Sequence, residues 1–201
     1  MVKVAVIYYS STGTNYQLAN WAAEAVKAAD AEVRVVRAQE TAPEAAVASN
    51  PAWKQHLEET QHVPVATSDD IEWADAIIFS IPTRFGNVPS QMKQFIDSQG
   101  GLWAAGKTMN KVVTAMSSAS NAHGGHEGTL LHLYTSMMHW GGAIIVPPGY
   151  TNECIYGGAG GNPYGTSVTQ TPDGKMLEDV EAAVKHQATR VVEVASKIVQ
   201  S

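Results

Sequence analysis

Short apolar runs alternate with amphipathic stretches along the whole chain. Residues 2–9 (VKVAVIYY) are β-branched and aromatic with little alternation, the pattern of a strand buried on both faces. Apolar residues then recur at Ala19, Ala22, Ala23 and Val26, which is helical spacing. Residues 32–37 (EVRVVR), 76–81 (AIIFSI), 111–116 (KVVTAM) and 143–146 (AIIV) predict four further strands. Between them, residues 38–67 are polar and irregular apart from a helix over 51–60, and residues 90–98 and 127–140 read as further helices. Asp69 with Glu72 predicts a capping box on one short turn. Val180, Val184, Ala188, Val191, Ala195 and Ile198 mark a long terminal helix.

Strands alternating with helices predict an α/β fold, a parallel sheet covered on both faces. Five strands suit a doubly wound sheet in the order 2-1-3-4-5, and equally a half-Rossmann unit. In either case ligands gather beyond the carboxyl ends of the strands. The loops after Tyr9, Ile81, Met116 and Val146 are therefore where chemistry is expected.

Length and charge narrow this further. The chain has 201 residues, which at about 150 residues per domain predicts one domain spanning 1–201. A net charge of −6 excludes a dedicated nucleic-acid or anionic-membrane binder. No stretch reaches the ~20 apolar residues of a membrane span, and the start does not read as a secretory signal. Cys154 is the lone cysteine, which excludes a disulfide framework and fits a reducing cytoplasm. His123 and His126 form an H-x-x-H pair without a further ligand at metal spacing, so no metal is expected. Nine of the 17 glycines fall between Gly141 and Gly174.

The first loop, Ser10-Ser11-Thr12-Gly13-Thr14-Asn15, joins a buried strand to a helix start. Hydroxyls, backbone N–H groups and the positive helix end together suit a phosphate without any Lys or Arg. Neither Gly-Lys-Ser/Thr nor G-x-G-x-x-G occurs, which excludes a Walker A loop and a dinucleotide fingerprint. Strand-S-x-T-G-x-T-helix resembles the FMN-phosphate loop of flavodoxins. Pro82-Thr83-Arg84-Phe85-Gly86-Asn87 and Gly100-Gly101-Leu102-Trp103 resemble the WrbA-type NAD(P)H:quinone oxidoreductases, also called tryptophan-repressor-binding proteins. Tyr8-Tyr9-Ser10 and Pro163-Tyr164-Gly165 fit the same family, so the resemblance spans nearly the whole chain.

That resemblance implies a flavodoxin-like three-layer sandwich holding FMN. Residues 10–15 would grip the phosphate, and Pro82 to Asn87 would line the ring with Arg84 as the cation for reduced flavin. Ser117, Ser118, Ala119, Ser120 and Asn121 would hold the ring's polar edge. Here Ala119 to His123 replace the family's usual T-G-T-G and run one residue longer. His139 would reach the flavin of a neighbouring subunit, with Trp140 in place of a second His. Trp103 would stack near a quinone, and Thr12 stands where relatives often have a nicotinamide-side tyrosine. His139 and Tyr164 are the candidates for proton delivery, and Cys154 carries no catalytic role. The implied activity is NAD(P)H:quinone oxidoreduction by ping-pong hydride transfer, with NADH or NADPH as co-substrate, in a homotetramer built as a dimer of dimers. A one-electron carrier and a repressor-binding adaptor are the alternative readings.

Overall fold

The computed structural model describes residues 1–156 and 161–199. In chain order it holds β1 (Lys3–Tyr8), α1 (Thr14–Ala28), β2 (Glu32–Arg37), α2 (Glu44–Ala48), α3 (Pro51–Glu59), α4 (Ser68–Trp73) and β3 (Ala76–Pro82). There follow α5 (Ser90–Asp97), α6 (Gly100–Ala104), β4 (Val112–Ala119), α7 (His126–His139), β5 (Ile144–Ile145), α8 (Glu153–Tyr156), β6 (Ser167–Thr169) and α9 (Glu181–Val199). All strand pairs are parallel, in the expected order β2-β1-β3-β4-β5, with β6 also on β4.

Period-two alternation sends each central strand's side chains into two cores. Val4, Val6, Tyr8, Ile78 and Met116 meet α1 and α9 on one face. Ala5, Ile7, Ile77, Phe79 and Ala115 meet α4, α5 and α7 on the other. Fully buried chains such as Phe79, Ile77 and Ile78 each contribute about 1.5–3 kcal/mol by leaving water. Among the described residues no helix is long and apolar enough to cross a membrane.

Three expectations need correction. The capping box uses Thr67 and Asp70, not Asp69 and Glu72: Thr67 N–H donates to Asp70 Oδ2 at 2.9 Å and opens α4. Three short helices, α2, α6 and α8, lie where the sequence shows no periodic signal. The fifth sheet position is divided, because β5 pairs only with Val112 and Val113 while β6 pairs with Ser117 to Ala119. The glycine-rich segment therefore contains a strand, and its residues 157–160 lie outside those described.

Between β5 and β6 the middle of β4 has no strand partner on the side away from β3, and helix side chains replace one. Gln187 of α9, fully buried, accepts from Thr166 N–H (2.7 Å) and Thr166 Oγ1 (2.8 Å). Its Nε2 donates to Thr114 Oγ1 (2.7 Å) and Ala115 C=O (2.9 Å). From the other face, Tyr134 of α7 accepts from Ala115 N–H and donates to Tyr164 C=O. Gly165 fits here because a Cβ would sit 2.1 Å from Ala115 O. Gln187→Leu would strand several buried polar groups at about 1–3 kcal/mol each. Urea denaturation should then show a loss of about 3 kcal/mol or more, and an unchanged midpoint would contradict this account of the gap.

Candidate active site

The ends of β1, β3 and β4 are tied together by one buried amide. Asn15 Nδ2 donates to Ser118 Oγ at 2.7 Å. Ser80 Oγ lies 2.9 Å from Asn15 C=O and 3.2 Å from its Oδ1. Thr83 N–H, just past β3, donates to Ser118 C=O at 2.8 Å. Three loops are thereby fixed side by side at the carboxyl edge. The side chains of Asn15 and Ser118, both counted as flavin contacts from the sequence, are spent on this knot.

The first loop is shaped as an anion cradle. Gly13 N–H donates to Ser10 Oγ at 3.0 Å, and Gly13 adopts φ +99°, which suits glycine. Among the described residues no side chain caps the fifteen-residue helix α1, so its positive end faces the loop. Two elements back the cradle that the sequence gave no reason to place there. His56 Nδ1 would lie 3.6 Å from a Cβ on Gly13, and burial holds that imidazole below its ordinary pKa, toward the neutral form. Gly174, in the turn after β6, accepts from Thr14 Oγ1 at 2.8 Å, and its Cα packs against Thr12. The late glycine cluster was the only signal for Gly174.

Opposite stands a tight hairpin. Arg84 and Asn87 exchange backbone hydrogen bonds at 2.9 and 3.0 Å around Phe85 and Gly86. Both central residues have positive φ, +52° and +73°, the geometry of a type I′ turn. Gly86 takes this without strain, whereas Phe85 does not, and its ring is fully exposed. Strain combined with an exposed aromatic ring marks a ligand-facing position. The tip rests on α7, where His132 Nδ1 lies 2.9 Å from Gly86 C=O. Arg84 spans the gap to the first loop: Nη2 donates to Ser11 Oγ and Nη1 to Thr83 C=O, both at 3.0 Å.

The third segment divides. Ser117 to Ala119 continue β4 and are buried, with Ser117 Oγ lacking a hydrogen-bond partner among the described residues. Ser120 and Asn121 emerge at the surface beside the other two loops. Beyond them a polar cleft of about 510 Å³ is lined by His123, His126 and Glu178, among others. Among the described residues no group of three or more His, Cys, Asp or Glu is gathered for a metal.

Trp103 and His139 share a different groove, of about 340 Å³, with Gln99 and Trp140. Trp103 lies against Gly141, and Gly142 C=O accepts from Asn110 N–H, so this groove sits at the amino ends of β4 and β5. The eight residues of β4 put about 25 Å between it and the cradle. Within one chain these two residues do not reach the carboxyl-edge loops. Tyr164 packs against the α5/α7 core midway along β4. Cys154 is half-buried, and burial pushes its thiol pKa up.

A family model described as NADPH-dependent FMN reductase matches residues 2–154. A protein of Deinococcus radiodurans called NAD(P)H dehydrogenase (quinone) is 52% identical over 197 residues, covering 98% of this chain and 97% of its own. A protein of the same name from Azorhizobium caulinodans is 39% identical over 203 residues, covering 98% and 99%. Among solved structures, a flavodoxin, WrbA-like protein of Agrobacterium tumefaciens aligns with TM-score 0.63 at 21% identity, covering 98% of this chain and 99% of that one. An archaeal flavodoxin aligns with TM-score 0.64 at 14% identity, covering 97% and 99%.

The cradle's backing is testable. A Cβ on Gly174 would lie 2.1 Å from Thr12 O, at a φ of +90°. Gly174→Ala should push Thr12 out of place and weaken FMN binding about tenfold in a fluorescence titration, the cost of one charge-assisted contact. Far-UV circular dichroism should not change. Wild-type affinity in the variant would show that the turn does not support the loop.

Proposed function

This chain belongs to the NADPH-dependent FMN reductase family, and on that premise we propose that it is an FMN-dependent NAD(P)H:quinone oxidoreductase working by ping-pong, two-electron transfer. One observation carries the reading: the open positive end of α1 and the Arg84 guanidinium face one another across a single gap, bridged at Ser11. Bound FMN would supply a carrier that takes hydride from a reduced nicotinamide and passes it to a quinone.

The residues present fit that group. Backbone N–H groups of residues 10–15, with the helix end, receive a phosphate dianion without a cation. Arg84 would be the cation for the negative charge that grows on reduction, and its bonds to Ser11 and Thr83 mean that little reorganisation would be needed. Ser120 and Asn121 would offer polar partners to the ring, and the exposed Phe85 would offer it an apolar wall. One open face serves both substrates in turn, which is the basis for ping-pong order.

A second copy would complete that face. Helix α7 has fourteen residues, about 20 Å in length. Its outer side exposes Leu131, His132, Met138 and His139, with Phe85 near one end and Trp103 near the other. A two-fold axis across the middle of α7 would set one copy's Trp103 and His139 over the other's Phe85. We read the assembly as a dimer of such dimers, with His139 rather than the packed Tyr164 positioned to move a proton.

Purified protein loaded with FMN should oxidise NADH or NADPH in the presence of benzoquinone, with parallel double-reciprocal lines. If flavin is bound yet NAD(P)H is not consumed, the reductase reading fails and an electron carrier takes its place. Sedimentation should give the mass of four chains. A single-chain species that retains full activity would remove the shared site.

A further inference from the structure

The phosphate loop has two flanks. On one, Ser11 meets the Arg84 guanidinium. On the other lies a separate cleft of about 370 Å³, between the start of α1, helix α3 and the turn that carries Asp173. Of residues 10–15 only Thr12 and Gly13 line it, so it is not the cradle itself. Its volume falls within the range of small-molecule sites.

The walls differ in chemistry. Tyr16 and His56 form an aromatic side, their ring centres 5.6 Å apart and the planes tilted by 55°. His56 is only 9% exposed, yet neither ring nitrogen has a hydrogen-bond partner among the described residues. Burying an imidazole unpaired is costly, which marks it as a side chain kept for a ligand. Glu59 accepts from Gln55 Nε2 through Oε1 at 2.8 Å and keeps Oε2 open. Asp173 adds a second carboxylate, held below the ordinary carboxyl range by the Thr171 hydroxyl bonded to it. Among the described residues no Lys or Arg lines the cleft. Lys175, two residues from Asp173, offsets part of that charge from outside the lining.

Two aromatic rings suit a flat heterocycle. Carboxylates without a cation accept from a diol and repel a phosphate. Together these describe the adenosine end of a nicotinamide dinucleotide, and they separate its two forms. NADH has a free ribose 2′-hydroxyl where NADPH has a 2′-phosphate. Thr12 belongs both to the phosphate loop and to the cleft wall, so a dinucleotide with its nicotinamide at the ring would cross the loop there. We propose that this cleft receives the adenosine of the nicotinamide co-substrate, with Tyr16 and His56 against the adenine and Glu59 and Asp173 against the ribose diol. The enzyme thereby selects NADH over NADPH. The inference rests on the reductase reading above and names the co-substrate of that reaction. The matching family model is described as NADPH-dependent, and the charge of this cleft sets the chain's choice against the nucleotide in that name.

ADP-ribose and 2′-phospho-ADP-ribose are the probes, each titrated by calorimetry into the FMN-loaded protein. ADP-ribose should bind about tenfold more tightly or better, and kcat/KM with benzoquinone should favour NADH over NADPH by a similar factor. Glu59→Gln combined with Asp173→Asn should shrink both ratios, chiefly by improving the phosphorylated ligand, and added salt should act in the same direction. Glu58→Gln, one residue earlier on α3 and paired with Lys54 away from the cleft, should leave both ratios alone. His56→Ala should weaken both probes alike, because it faces the adenine they share. Equal binding of the two probes, tighter binding of the 2′-phosphate, or equal effects of Glu58→Gln and Glu59→Gln would overturn the assignment. Selective binding of ADP-ribose without any NAD(P)H oxidation would support the adenosine site while removing the reductase reading. Full turnover with equal use of both nicotinamides would do the reverse.

Discussion

The carboxyl edge depends on the Asn15 amide. Loops fan outward from strand ends, and nothing in sheet geometry alone makes three of them converge. A buried amide that both donates and accepts can do so, because each unmade bond would cost the full desolvation of its partner. Because Ser80 and Ser118 both engage Asn15 through their hydroxyls, the first turn of α1 cannot shift against β3 or β4 without exposing that cost. The cradle, the Arg84 hairpin and the Ser120-Asn121 rim inherit their spacing from this one point.

Around it the structure combines stiff and strained parts. Glu40 and Gln187 are both polar groups with nearly every hydrogen-bonding position occupied, one beneath the site and one at the sheet edge. Phe85 is the opposite case, a bulky residue kept at positive φ and fully in solvent. The unfavourable turn persists because the stiff surroundings, including the His132 contact to Gly86, leave the hairpin no alternative.

Much of the frame was legible in the chain because strands buried on both faces leave uninterrupted apolar runs. Residues 4–9 and 76–81 are examples, and the sheet order follows from the alternation of strands with helices. β6 escaped notice because its three residues, Ser167-Val168-Thr169, carry too short a pattern to register. α6 begins with two glycines and gives no helical period. The three loops could be placed since they follow strands, but contacts between distant segments could not. Glu40 reads as one more surface carboxylate until Tyr9, Trp53 and Gln91 arrive around it. Trp103 and His139 were matched by resemblance, which says nothing of where they sit within a single chain, and the fold puts them on the far edge.

The divided fifth position has one further consequence. In an unbroken ladder, inserting a single residue would slide everything downstream by one step and turn buried faces outward. Here β4 is gripped separately at each end, and Gln187 and Tyr134 serve its middle from the two helix layers. The chain that departs after Val146 and returns to β4 at Tyr164 is therefore insulated from strand register. Its length and composition can drift over generations at only the slight entropic penalty of a longer loop, leaving the sheet and its ligand edge untouched. This stretch is where the fold can take on new sequence without refolding.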